Sequence, residues 1–497
     1  MSKWISLACL VLVCGQVVAD ETYHVAQTSV ASDRNPGSQA KPLRTIAAAI
    51  AKANPGDTIV VGDGDYRRED TGWGKGVIPV LRAGTSAKPI VIRAADGASP
   101  VVFSFLLKDT HDVTIHGFQF QNSAWASFKK WQDMPIIVRD VPANPAAPID
   151  FTQDWAARKS SIEAAFSTYF AITRGLEYST AIDLSECKDI QLQRNQVDGY
   201  WAGIQCRHCQ EITIADNTIS HCINGIYSWQ PAPSLTNSRI QGNRISQCLD
   251  NGIDVREGAE NVRIIDNDVT YSGRSHISLL NGTRGCVIEK NRVHHGGYYS
   301  ESMEYPGSSA ISVHSSFETL VKDNCAADQI DLTGIDGNGV ILDLTRDGAI
   351  VTVQGNLLSR HMGSGLNTTQ SPRAIIQANT FVENGWNSTE RRNGAGIKLS
   401  RNEDVNQTIT QNVFSKNRVA GILAYKLMEK QREINSNTYF SLSGTPLIWD
   451  GYNDDEGRYL TLAEVRGATK WEEQGVVVDA PPKVNENRCQ SPPPPKS

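Results

Sequence analysis

The chain lacks any strong excess of charge. Its 497 residues carry 48 basic and 54 acidic side chains, a formal net charge of −6. No nucleic-acid partner is expected, because phosphate backbones are held by clustered Lys and Arg. It also lacks a long apolar run. Met1-Ser2-Lys3 followed by Ile5 to Val13 is too short to span a bilayer, and no later stretch is long and apolar enough. This start reads as a signal peptide over 1–19, with Val17-Val18-Ala19 before the cleavage point at Asp20. It predicts a secreted or periplasmic protein with no membrane partner. Cysteine is sparse, ten in all, with Cys9 and Cys14 inside the signal segment. The pair Cys206-x-x-Cys209 has the spacing of a metal or redox motif, but the offsets favour another reading. Cys187 and Cys209 each lie five residues after the apolar start of a strand, Ile182 and Ile204. Cys222 and Cys248 each lie five residues after Asn217 and Asn243. Equal offsets make them stacked pairs, open to disulfide formation in an oxidising compartment.

What the chain has is a repeat built on asparagine. Asn217-Thr218-Ile219, Asn243-Arg244-Ile245, Asn267-Asp268-Val269 and Asn291-Arg292-Val293 recur 26, 24 and 24 residues apart, with a copy at Asn195 and later ones at Asn356, Asn379 and Asn412. A fixed period of this size marks one supersecondary unit stacked many times. Asparagine tolerates the left-handed conformation that a sharp bend needs, and stacked amides can hydrogen-bond along the axis. The fold expected is all-β, a right-handed parallel β-helix (a solenoid) with an N-terminal capping helix. A strand and the capping helix occupy 20–57, the helix itself over 43–53. The β-helix runs over 58–440, interrupted by an insertion at 123–178. A C-terminal cap covers 441–479, and a Pro-rich tail 480–497. A solenoid grows along one axis and is expected to be a monomer with capped ends.

The repeat allows its strands to be aligned. After each inward apolar residue the next side chain points outward. One outward column reads Asp183, Gln205, Tyr227, Asp254, Ser278, Ser312, Ile341, Asn367, Lys398; the other reads Ser185, Arg207, Trp229, Arg256, Leu280, His314, Asp343, Thr369, Ser400. A solvated face without a task is usually short and polar. This one carries Arg, Trp, Tyr, His and carboxylates, and long turns at 294–309 and 386–393 border it. It is the candidate groove. Arg207 and Arg256 can grip a carboxylate, with a surface ion pair to Asp254 or Glu257 as the plain alternative for Arg256. His314 beside Asp343, or Lys398, can take a proton. Tyr227 and Trp229 can stack on sugar rings, or pack under a loop. His294 and His295, at a turn, are weak metal candidates.

Three segments carry a resemblance. Pro42-Leu43-Arg44-Thr45-Ile46, Asn54-Pro55-Gly56-Asp57-Thr58-Ile59 and Gly84-Thr85-Ser86-Ala87-Lys88-Pro89-Ile90-Val91-Ile92 resemble the start of the secreted β-helix polysaccharide lyases of the pectate-lyase-like superfamily. The resemblance implies a site on the outer face aligned above and an acidic polysaccharide as partner. Gly394-Ala395-Gly396-Ile397-Lys398-Leu399 is similar to the Gly-rich strand that carries the lysine base of one pectate-lyase branch. It brings calcium as the cofactor to test, with Asp254 able to bind it or to orient Arg256. The expected activity is β-elimination on a uronate-containing polysaccharide: Arg256 neutralises the carboxylate, and His314 held by Asp343, or Lys398, takes the proton. Arg207, Tyr227, Trp229 and Asp254 would bind substrate. C5-epimerisation, glycoside hydrolysis on the same fold and non-catalytic glycan binding stay open.

Overall fold

A computed structural model describes residues 20–69, 71–73, 75–122, 179–297, 307–331, 336–345, 350–371, 373–386, 394–399, 406–424, 432–451 and 457–483. The signal segment, the insertion at 123–178 and most of the Pro-rich tail lie outside these residues. So do 298–306 and 387–393, which make up much of the two long turns.

The described strands stack into three long sheets of 16, 14 and 13 strands, and nearly every pairing is parallel. This is the expected right-handed parallel β-helix. The stack begins earlier than the repeat itself shows: Thr22–Val25 already pairs in register with Thr58–Val61. Each coil passes through the three sheets in turn. Inward Ile, Val, Leu and Phe side chains form one continuous core from Tyr23 to Trp471. Near the far end Phe381, Phe414 and Tyr439 stack face to face, with centroids 5.2 and 5.1 Å apart. Identical inward positions one rung apart favour such ring stacking. The glycine that opens many strands of the 14-stranded sheet has a steric cause. A Cβ on Gly365 would lie 2.6 Å from Phe381 and 2.8 Å from the Gly396 carbonyl oxygen.

The asparagines form a ladder through the interior. Asn195, Asn217, Asn243, Asn267, Asn291, Asn324, Asn356, Asn379, Asn412 and Asn437 each donate from Nδ2, and from the backbone N–H, to the next residue's side-chain oxygen. One expectation is corrected here. The left-handed residue of the bend is not the asparagine but the one before it, as in Asp216 (φ 56°), Asp266 (φ 55°) and Lys290 (φ 55°). The asparagine keeps ordinary backbone geometry because its role is the buried amide, which satisfies a carbonyl on the preceding rung, such as Ile240 for Asn267.

Both ends of the stack carry a helix. Helix α1 (Ile46–Lys52) is capped by Thr45 and buries Ile46, Ala49 and Ile50. Glu69 accepts from the Ile46 and Ala47 N–H groups at the free start of this helix. Helix α2 (Leu462–Ala468) opens with a capping box between Thr461 and Glu464. After it, buried Glu472 ends the ladder, accepting from Asn437 Nδ2 (2.7 Å) and the Tyr439 hydroxyl (2.6 Å).

Candidate functional site

The two outward columns are columns of the 14-stranded sheet. Pairing runs Asp183–Gln205–Tyr227–Asp254–Ser278–Ser312–Ile341–Asn367–Lys398 without a slip. Ser185, Arg207 and Trp229 share register, as do His314, Asp343 and Thr369. Adjacent rungs are ~4.8 Å apart, so the face brings these groups into two clusters.

The first cluster is built on Arg256. Its Nε donates to Asp254 Oδ1 (3.1 Å), its Nη2 pairs with Asp254 Oδ2, and Asn251 Nδ2 adds a donor to the same oxygen (3.0 Å). The guanidinium lies 5.2 Å from the Tyr227 ring centre and 5.5 Å from that of Trp229, and these two rings stack 5.7 Å apart. Trp201 meets Tyr227 edge-on. Two expectations are corrected. Asp254 is fully buried rather than presented to a groove, and Arg256 keeps only 17% of its side chain exposed. Tyr227 is buried as well, while Trp229 stays open at 36%. Outward direction is not exposure: the neighbouring rungs and the Trp229 ring cover this stretch. The Arg256 charge is therefore already met by Asp254, as in the plain alternative. Arg207 is likewise paired, its Nη2 donating to both oxygens of Asp183 (2.9 and 2.8 Å), whose carboxyl is shifted upward by burial. The sequence reading missed Trp201 and also Asp250. Burial raises the Asp250 carboxyl against the pull of Arg274, 3.4 Å away.

The second cluster lies further along the same face. His314 Nε2 is 3.9 Å from Asp343 Oδ2. Asp336, just before the strand Asn338–Asp343, is pushed up to about 7. Burial is the main cause, the charges of Asp331 and Asp343 add to it, and Lys398 opposes it. Asn338 Nδ2 donates to Asp336 Oδ1 (3.2 Å), and the Asp336 N–H donates to Asp331 Oδ2 (2.7 Å). Asp343, Asp336 and Lys398 thus share one electrostatic neighbourhood, although Lys398 is three rungs beyond Ser312, the rung of His314. Asp331 and Asp336 escaped the column alignment because they lie between the strands Cys325–Gln329 and Asn338–Asp343. The run Asp336-Gly337-Asn338-Gly339 leading into that strand was the available signal.

Calcium does not fit these residues. The Asp254 carboxylate is taken up by Arg256 and Asn251, and no group of three or more His, Cys, Asp and Glu side chains among the described residues could hold a metal ion. That includes His294 and His295, whose Nδ1 atoms are 2.8 Å apart. The cysteine pairs stack on adjacent rungs as expected, Lys188 beside Gln210 and Ser220 beside Ser246, but they form no disulfides. Cys187, Cys206, Cys209, Cys222, Cys248 and Cys286 are all free thiols, and Cys325 alone among the described cysteines is disulfide-bonded. Side chains stacked at strand spacing hold their Cβ atoms ~4.8 Å apart, beyond the ~3.8 Å a disulfide prefers.

A family-model match agrees with this architecture. Residues 180–347 match the family model described as "Right handed beta helix region", and residues 30–73 match a family of unknown function, DUF1565. An uncharacterized protein of Bacillus subtilis (strain 168), YwoF, is 29% identical over 108 residues, 19% of this chain. That match spans 21% of the length of YwoF. Among solved structures, the A-module of a mannuronan C-5 epimerase from Azotobacter vinelandii aligns at a TM-score of 0.41 and 14% identity, over 91% of this chain and 95% of that one. A pectate lyase aligns at 0.40 and 14%, over 90% and 83% of the two chains. The catalytic unit of an α-1,3-glucanase from Streptomyces thermodiastaticus aligns at 0.47 and 11%, over 87% and 65%.

Proposed function

We propose that the chain is an exported carbohydrate-active enzyme that cleaves a uronate-containing polysaccharide by β-elimination on the outer face of the 14-stranded sheet. One observation carries the reading: Asp336, held near neutrality at about 7, stands in electrostatic contact with both Asp343 and Lys398. Elimination needs a base for the proton α to the carboxylate and an acid for the departing oxygen. A carboxyl that titrates near pH 7 can be that acid. Lys398 and His314 are the two candidate bases, with Asp343 Oδ2 lying 3.9 Å from His314 Nε2. Trp229, half open beside Arg207, offers a stacking surface for a sugar further along the same face. Arg256 supports this platform through its pair with Asp254 rather than by gripping substrate, which revises the role first expected of it.

The same carboxyls favour hydrolysis as the second reading. Asp336 with Asp343 or Asp331 supplies the acid and base that glycoside hydrolysis requires. The experiment is a panel of pectate, alginate and glycosaminoglycans with purified protein. Elimination predicts a product with a conjugated double bond absorbing in the ultraviolet, and Asp336→Asn should lower kcat by about 100-fold or more. New reducing ends without that absorbance would establish the hydrolase. Release of neither product from any polymer would overturn the enzymatic reading.

A further inference from the structure

One buried charge stands outside both clusters. Arg432 opens the strand Arg432–Asn435 of the 16-stranded sheet, and Gln407 is its partner on the preceding rung. Both side chains alternate with the core residues Ile409 and Ile434, so they point inward. Arg432 is 9% exposed and Gln407 1%. A buried guanidinium needs hydrogen-bond partners, yet Arg432 Nε and Nη1 meet none among the described residues. Burial pulls this group down to about 10, with the charge of Asp450 opposing it. The same inward column holds Val351 and Ala374 on the two rungs before Gln407. The position itself therefore does not call for a charge.

Arg432 and Gln407 line an open hollow of about 400 Å³ together with Asn406, Thr408 and Glu433. That volume falls within the ~300–1,000 Å³ of small-molecule sites. Gln407 carries the complementary deficit. Its Nε2 donates to the Ser371 carbonyl (3.1 Å), with a longer contact to Thr368 Oγ1 (3.5 Å), and this fixes which way the amide faces. Its Oε1 has no partner among the described residues. Unmet donors and an unmet acceptor thus stand side by side. Thr368 lies between Asn367 and Thr369 of the groove face, and Asn367 is the rung partner of Lys398. The hollow therefore reaches the sheet that carries the groove, close to Lys398.

We propose that this hollow is an anion site that takes the carboxylate of a sugar acid, with Arg432 as the charged donor. A carboxylate accepts from the guanidinium N–H groups that the fold leaves unmet. Its arrival offsets the cost of burying an unpaired charge. The hydroxyls of a sugar ring can donate to Gln407 Oε1, which sulfate, having no donor, cannot do. Exposed Glu433, the rung partner of Thr408, adds a repulsion that is smaller for a monoanion than for a dianion. Donors, acceptor and rim charge together select a carboxylated sugar over a free inorganic ion. The oxyanion class follows from Arg432; the choice of a uronate rests on the elimination reading above.

The test is calorimetric titration of the full chain with galacturonate, glucuronate, galactose and sulfate at fixed ionic strength. One of the uronates should bind at least about tenfold more tightly than galactose, and Arg432→Met should weaken it by about tenfold or more. Arg432→Met should also keep or raise the unfolding midpoint, because it removes a buried charge that the fold leaves unpaired. Glu433→Gln, on the exposed rim, should tighten uronate binding by about twofold to fivefold, and it decides the matter if the arginine variant fails to fold. No uronate binding, equal binding by Arg432→Met, sulfate binding more tightly than both uronates, or a Glu433→Gln chain that binds no better would overturn the proposal. So would a midpoint lowered in Arg432→Met as by a broken buried pair, since the charge would then serve the fold. Uronate binding lost with Arg432 in a chain that cleaves no polymer would sink the elimination reading and leave this site standing. Cleavage of a polymer without uronate binding at Arg432 would do the reverse.

Discussion

Arg256 shows how a correct position can carry a different role. Its place beside Tyr227, Trp229 and Asp254 follows from strand alternation. Its pairing does not, because alternation gives the direction of a side chain and not what lies over it. Fully buried Asp254 needs a compensating charge, and the Arg256 guanidinium supplies it, with Asn251 filling the remaining valence. Breaking a buried pair from one side leaves an uncompensated charge, which costs about 3–5 kcal/mol. Arg256→Ala is therefore expected to destabilise the fold by about that much, measured by urea denaturation. Adding Asp254→Asn should recover most of the loss. A single variant as stable as wild type would show that the pair is solvated and that Arg256 is free to grip an anion.

At the scale of the element, the asparagine bend is the part of the fold most legible in the sequence. The amide ladder follows from the period alone. Two rungs were hidden. Asn324 follows Asn291 by 33 residues because a long turn intervenes, and Ala326 rather than Ile or Val fills the inward position after it. Asn437 is followed by the inward ring of Tyr439. The position asks for an inward apolar group, which Leu358, Phe381 and Phe414 already fill after Asn356, Asn379 and Asn412, and which Ala326 and Tyr439 fill after the two rungs the pattern did not reach. The acidic run at Asp336 was hidden for a different reason: it belongs to no column, and only the folded chain brings it to Asp343 and Lys398. A ladder amide has no substitute. The Asn267 side chain accepts from the Asn243 N–H and Nδ2, and donates to Ile240 O and Asn291 Oδ1. Asn267→Ala orphans buried donors and an acceptor together and should cost about 2–4 kcal/mol, read from the midpoint of chemical unfolding at unchanged slope. A loss under about 0.5 kcal/mol, the range of plain surface changes, would mean that backbone pairing alone carries the bend.

Across the whole molecule, the stack has two ends and the chain covers both. A parallel solenoid leaves open strand edges and a cut core at each terminus, which invites end-to-end association unless a cap intervenes. Helix α1 lays Ile46, Ala49 and Ile50 over one end. At the other, Val465 and Trp471 join the common core, Glu472 satisfies Asn437 and Tyr439, and Val476–Val477 pairs with Thr438–Phe440. A chain ending at Tyr459 would lose all four devices at once. Asn437 would then present an unmet amide, Tyr439 an open ring face and hydroxyl, and Thr438–Phe440 a free parallel edge. Such a chain is expected to keep its folded coils, since each rests mainly on its neighbours, but to associate with rising concentration. Sedimentation velocity from low to high micromolar protein measures this directly. The full chain should sediment as one monomeric species, and the shortened one should shift toward larger species. A shortened chain that stays monomeric throughout would mean that the residues before Tyr459 already close the end, leaving α2 and Glu472 to stabilise the last coil without shielding it.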